Sequence, residues 1–462
     1  MRAFLLRNAN AIRASYWFIP SLMFTGAVAL SFVTLWIDAI WGAEWMNTLK
    51  IFELTDVESA RSVLGVIAQS MIGVAGVTFS ITLVAVTNAS SQFGPRLVGN
   101  FMRDRGNQIT LGTFISTFIY ALMVLRSVSA STEEQIAFVP HISVLLAIGF
   151  AVLSVGVLIY FIHHVPASID IGTITSSVGR ALRGRLDETF PRAGGPGEAP
   201  ANLSAHRFDG ARRVLSDETG YLQTVQDDVL IAIAEEEGLL IRLQFRPGDF
   251  VMAGETLLHA AAAEEREDVD TALGLSREAD LRACFAIGDD KTADQNLLFL
   301  VEELVEIAIR ALSPGVNDPF TAMTCLDWLT SALAEMAAQE RPSPYRTDAG
   351  GTVRLIAHSV DFERLLDEAL PRLLPYVARD AMTATHLLRR LAIICSAIES
   401  EARRATARTH MDALIIAAGE ALSPVPVRTR FLAEADKAQT LLDDPKAARD
   451  LTFAQSWYGG SA

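Results

Sequence analysis

Four apolar runs constrain this chain more than anything else in it, at about residues 16–41, 63–89, 108–128 and 140–162. Each is long enough to cross a hydrocarbon core of about 30 Å. Backbone inside lipid has to satisfy its hydrogen bonds within its own segment, so runs of this length fold as transmembrane helices. The expected fold is a mostly α membrane protein. A four-helix transmembrane bundle in 1–165 is followed by a cytoplasmic α+β domain with a small β-barrel-sandwich-like unit and a helical bundle. The first run is too long for a signal peptide and has no small-residue cleavage site, so it reads as a retained anchor. Tyr16 and Trp17 at one end, and Trp36, Trp41 and Trp45 at the other, suit the membrane interfaces.

The second run is the most polar. At alternating steps of four and three, Gln69, Gly73, Gly76, Ser80, Leu83, Thr87 and Ser90 share one helical face, and only Leu83 is large and apolar. Thr78, Thr82, Ala85, Ala89 and Gln92 form a second stripe on roughly the opposite side. Two readings fit this pattern. Small and hydroxyl side chains let helix backbones pack closely, and they also line polar pathways. The candidate pathway residues are Gln69, Gly73, Gly76, Ser80 and Thr87. The run leaves the membrane through Ser91, Gln92, Gly94, Pro95 and Arg96.

Charge orients the bundle. Basic residues cluster before the first run (Arg2, Arg7, Arg13), between the second and third (Arg96, Arg103, Arg105) and after the fourth (Arg180, Arg183, Arg185). By the positive-inside rule all three lie in the cytoplasm, which gives a bacterial inner-membrane protein with both termini cytoplasmic. Asp38 and Arg126 both fall near the outer ends of their helices; mutual pairing and unaided snorkelling of Arg126 are equally good accounts. Through Asp170 the chain carries 9 basic and 9 acidic residues, so the rest, with 30 against 45, holds the whole formal charge of −15. So acidic a soluble part excludes nucleic acid as a partner. Cys284, Cys325 and Cys395 have no paired spacing and read as reduced core residues.

Beyond the fourth run, Ile171, Ile174, Val178, Leu182 and Leu186 make an apolar stripe on a juxtamembrane helix over 166–190, suited to a bilayer surface or to sister subunits. Residues 191–205 are a Pro- and Gly-rich linker. In 206–265 the stretch from Arg246 to Val251, with Gly254 and Leu257, resembles the hairpin of biotinyl- and lipoyl-type barrels. It contains no lysine to carry a prosthetic group; the nearest is Lys291. No cofactor is expected. Residues 266–455 read as helices, with amphipathic stretches at 353–370 and 384–402, and 456–462 as a tail. Arg403, Arg404 and Arg408 read as a solvated basic face.

The sharpest soluble motif lies between Gly288 and Met323. Thr292 and Gln295 have capping-box spacing and should start a helix that runs to Leu312. Glu302, Glu303 and Glu306 share one side of it, with Glu306 four residues from Arg310. Ser313, Pro314 and Gly315 stop the helix, Asn317 follows, and Asp318 caps the next one with Pro319 at its first position. The run Ser-Pro-Gly-Val-Asn-Asp-Pro-Phe-Thr-Ala, taken with the membrane exit over Thr82 to Arg96, resembles the bacterial membrane proteins grouped as domain of unknown function 2254. The family commonly has Arg-Thr and Gln-Asp near the capping box, where this chain has Lys291-Thr292 and Gln295-Asn296. The resemblance spans nearly the whole chain and implies the architecture without an activity.

No Walker loop, nucleophile elbow, zinc-protease motif or dinucleotide fingerprint occurs. His163 and His164 point about 100° apart on a helix and make a poor chelate. Asn317, Asp318, Glu303 and Glu306 are oxygen donors, but capping already accounts for Asp318. The sequence therefore points away from an enzyme, with no catalytic residues and no metal. It points to a homo-oligomeric conduit for ions or small solutes, controlled by the cytoplasmic domain; a membrane-anchored sensor or scaffold is the alternative.

Overall fold

A computed structural model of the protein describes residues 16–46, 56–94, 104–129, 138–189, 208–262, 275–339 and 342–443. It divides into two compact units, one within Ala9–Thr173 and the other from Ile174 onward.

The first unit holds four helices long and apolar enough to cross a membrane. They are α1 (Phe18–Met46), α2 (Val57–Phe93), α3 (Arg105–Ser127) and α4 (His141–Ile169). α2 begins six residues before the expected 63 because Asp56 caps it, accepting from the Ser59 N–H. Its 37 residues span about 55 Å. It ends at Gly94, where φ of +123° turns the chain and the Gly94 N–H donates to the Ser90 carbonyl. α3 is the most enclosed of the four. Phe114, Tyr120, Ala121 and Val124 on it pack in one core with Leu64 and Ala68 of α2 and Ala147 of α4. Gly112 lets α1 approach, since Pro20 and Met23 fill the space a side chain there would need.

α5 (Ile171–Thr189) follows α4 after a single non-helical residue, Asp170, and from Ile174 onward belongs to the second unit. The apolar stripe of α5 does not await a bilayer or a sister subunit: Val178, Leu182 and Leu186 are buried within the chain. Arg183 pairs with Glu335, and the Trp328 indole occupies the space beside Gly179, so α5 lies along the helix carrying those residues, α9 (Pro319–Ala338).

Between α5 and α9 lie β1 (Arg212–Leu215), β2 (Gly220–Val225), α6 (Asp227–Glu236), β3 (Leu239–Leu243), β4 (Phe250–Val251), β5 (Thr256–Ala262), α7 (Leu275–Arg282), β6 (Phe285–Gly288) and α8 (Leu297–Ala311). After α9 come β7 (Tyr345–Thr347), β8 (Val353–Ile356), α10 (Phe362–Val377), α11 (Ala381–Ala397), α12 (Glu401–Ala421) and α13 (Val425–Asp443). The strands make two sheets, one ordered β1-β5-β3-β8-β7 and the other β4-β2-β6. β3 and β8 run parallel; the other pairs are antiparallel. Three strands come from beyond residue 265, so 206–265 is not a closed unit. Residues 353–356, expected at the start of a helix, instead extend beside β3, and Asp361 caps the helix that follows. Val214, Leu222, Leu230, Ile241 and Leu257 belong to one core shared by both sheets.

Candidate functional site

The two stripes of α2 have different fates. Thr78, Thr82 and Ala85 are buried inside the four-helix unit. The side chains of Ala89 and Gln92 lie outside the described residues. The pathway candidates Gln69, Gly73, Gly76, Ser80 and Thr87 are all exposed on the outside of the single chain, and none of the described residues fills the space beside Gly73 or Gly76. Exposed apolar rows flank this stripe on both sides, Val66, Val77, Ile81 and Val84 on one and Ile72 and Phe79 on the other.

The polar groups in that stripe differ in what they need. The Ser80 hydroxyl donates to the Gly76 carbonyl at 2.9 Å and the Thr87 hydroxyl to that of Leu83 at 2.8 Å. Both can therefore face lipid without a further partner. Gln69 cannot. Its amide makes no hydrogen bond among the described residues, and it sits about 5 Å along the axis from the middle of the 57–88 run. An amide without partners in hydrocarbon costs roughly 4–8 kcal/mol relative to water.

Inside the unit, polar groups reach between helices. Thr117 on α3 hydrogen-bonds Ser154 on α4 at 3.0 Å, and the Tyr120 hydroxyl meets Thr34 at 2.9 Å. Thr110 and Thr113 donate back to their own helix. Asn107 and Ser116 are exceptions, with side-chain polar atoms buried and unpartnered among the described residues.

Asp38 is not paired with Arg126. Its carboxylate is buried and accepts from the Ile142 N–H at 2.9 Å, the Ser143 N–H at 2.9 Å and the Ser143 hydroxyl at 2.6 Å, while Arg126 is exposed. α4 begins after Pro140 without a cap of its own, and a carboxylate from α1 takes that role, as the partial positive charge at a helix start favours. At the same end, Arg61 of α2 donates to the Val128 carbonyl at the end of α3 at 2.9 Å. Arg61 has no local sequence signal, since its partner is 67 residues away. At the opposite end Asp104 caps α3 and its second oxygen meets His164 at 2.6 Å, with His164 stacked on Tyr160.

Of the membrane-exit motif, Ser91 donates to the Asn88 carbonyl and Gly94 makes the turn. Pro95 and Arg96 lie outside the described residues, as does the Gln92 side chain.

The corner motif folds as its residues dictate. The Ser313 hydroxyl donates to the Arg310 carbonyl, Asn317 takes a left-handed φ of +50°, and Pro314 and Gly315 are exposed between them. Asp318 accepts from the Thr321 N–H and hydroxyl, with Pro319 opening α9. Glu306 pairs with Arg310 and Glu302 with Lys291. Among the described residues no three His, Cys, Asp or Glu side chains are placed to hold a metal. The expected capping box does not form. Asn296 caps α8 by accepting from the Phe299 N–H, while Gln295 exchanges hydrogen bonds with the backbone of Val225 in β2. Arg403 is no solvated residue either: it is buried, and its guanidinium donates to the carbonyls of Met336, Ala337 and Gln339 at the end of α9.

Over residues 13–392 the sequence matches the family described as Predicted membrane protein (DUF2254). Two relatives, the uncharacterized proteins Mb1321c of Mycobacterium bovis and Rv1290c of Mycobacterium tuberculosis, are each 30% identical over 389 residues, covering 84% of this chain and 73% of the relative. No solved structure matches.

Proposed function

The chain belongs to the DUF2254 family of predicted membrane proteins, and we propose that it is a homo-oligomeric conduit for ions or small solutes rather than an enzyme. In this reading the protein sits in the bacterial inner membrane with both termini in the cytoplasm. The outward stripes of α2 from several copies face one another around the path, and the domain from Ile174 onward, in the cytoplasm, controls it. The observation that carries the proposal is Gln69, a mid-helix amide on an outward face with no partner among the described residues. It calls for water or for another copy, and the small residues Gly73, Gly76 and Ser80 below it leave room for either.

The second reading is an anchored sensor or scaffold. It is favoured by the Ser80 and Thr87 hydroxyls, which are satisfied within α2 and ask for no water. Single cysteines at Gly73, Gly76, Ser80 and Thr87, in a protein lacking Cys284, Cys325 and Cys395, separate the two. Labelling of Gly76→Cys and Ser80→Cys in membranes by a small charged thiol reagent is the expected outcome for a conduit. Protection at all four positions in folded, assembled protein would leave only the scaffold.

A further inference from the structure

The second unit contains a cleft of about 250 Å³ whose lining comes from six separate stretches of chain. The Arg246-Pro247-Gly248-Asp249 turn closes one side, with Gly248 at φ +100° and its backbone pressed against the Asn296 amide so closely that no side chain would fit. The start of α8 forms the floor. Arg346 comes from β7, His358 from the segment after β8, and Arg185 from α5. Phe245, Leu297 and Val360 supply apolar walls.

Three arginines line this space in a domain that is otherwise strongly acidic. Each arginine has five N–H donors. Among the described residues Arg246 and Arg346 make little use of theirs. The Arg246 guanidinium approaches Asp249 at 3.5 Å, and Arg346 donates to the Ser343 carbonyl and stands 4.0 Å from Asp227. Arg403, by contrast, places its donors on three carbonyls. The cleft also has acids, Asp227 and Asp294. Burial raises the Asp227 carboxyl above its ordinary range, against the lowering effect of Arg346.

The floor adds a second, independent pull on negative charge. Asn296 is 7% exposed; its Oδ1 caps α8, and its Nδ2 donates to nothing among the described residues. α8 has 15 residues, and the first N–H groups of a helix lack intrahelical acceptors and favour anions.

We propose that this cleft binds a small organic phosphate, with the phosphate between Arg246, Arg346 and the start of α8 and the apolar part against Phe245 and Val360. A phosphate suits it better than a carboxylate, because donors arrive from several directions and a carboxylate offers only two oxygens. Arg185 reaches the same ligand from the helix that follows the fourth span, which gives the bound molecule a handle on that helix. The site stands whether or not the membrane unit conducts.

The test uses full-length protein in detergent micelles, with phenyl phosphate and inorganic phosphate as probes in calorimetric titrations. Phenyl phosphate should bind once per chain and more tightly than inorganic phosphate. Arg246→Gln and Arg346→Gln should each weaken it at least tenfold, while Lys437→Gln, outside the cleft, leaves it unchanged. A wild-type measurement guards against variants that do not fold: phenyl phosphate should slow modification of Arg246 and Arg346 by phenylglyoxal, read by peptide mass mapping. The proposal is overturned if neither probe binds, if inorganic phosphate binds as well as phenyl phosphate, if folded arginine variants bind like wild type, or if neither arginine is protected.

Discussion

α2 and α3 carry similar side chains and use them in opposite ways. On α3, Thr117 and Tyr120 reach across to Ser154 and Thr34, and the helix is wrapped by its neighbours. On the outer face of α2, Ser80 and Thr87 fold back onto carbonyls of their own helix, and Gln69 has no hydrogen-bond partner among the described residues. Polar content therefore does not distinguish a packing helix from one awaiting a partner. Nor do self-satisfied hydroxyls alone, since Thr110 and Thr113 also donate back to their own helix and are buried. Interhelical bonds mark a face already used within the chain, and exposure of the self-satisfied Ser80 and Thr87 beside Gln69 marks one that is not.

This contrast can be broken by substitution, and the largest effect should come where helices are tied together. Asp38→Ala leaves the Ile142 and Ser143 donors without their acceptor, and unfolding in micelles should show a loss of about 2–3 kcal/mol. Adding Arg126→Asp to Asp38→Arg should rescue nothing; rescue would restore the ion pair and discard the capping role. Thr117→Val removes one interhelical bond and should cost about 0.6–1.7 kcal/mol in the same assay. Gln69→Leu should leave single-chain stability within about 0.5 kcal/mol, yet change the oligomer distribution seen by native mass spectrometry. A loss comparable to that of Thr117→Val, with assembly intact, would place Gln69 among the in-chain packing residues. The smallest effect concerns the native thiols. Burial pushes Cys284 up to about 11 and Cys395 up to about 12, and raises Cys325 as well. Thiolate is then scarce at pH 8, so folded wild-type protein should stay unlabelled by charged thiol reagents while denatured protein reacts at all three.

Local patterns in the sequence revealed those parts of the molecule whose causes are themselves local. Four apolar runs specify four helices, and Asp318-Pro319 starts α9 because cap and first position are adjacent in the chain. Longer-range partners left no trace. Thr292 and Gln295 have capping-box spacing, but Gln295 is claimed by Val225, 70 residues away, and Asn296 takes over the cap. Arg403 reads as one of a basic trio, yet the end of α9 buries it. Val353 to Ile356 suits a helix by period and becomes a strand because β3 offers an unpaired edge. The outer stripe of α2 was legible as a face, and its direction became visible only once α3 and α4 had occupied the other side.

The paired caps on the hairpin of α3 and α4 carry a consequence for how the protein is made. Asp38 and Arg61 belong to the two helices that precede the hairpin in the chain, and they satisfy the end of α3 and the start of α4, which are synthesised later. Until the hairpin arrives, Asp38 is a carboxylate near the bilayer edge without its acceptor-seeking donors, and Arg61 a cation without its carbonyl. The caps of α3 and α4 thus form only when the later hairpin packs against the two earlier helices.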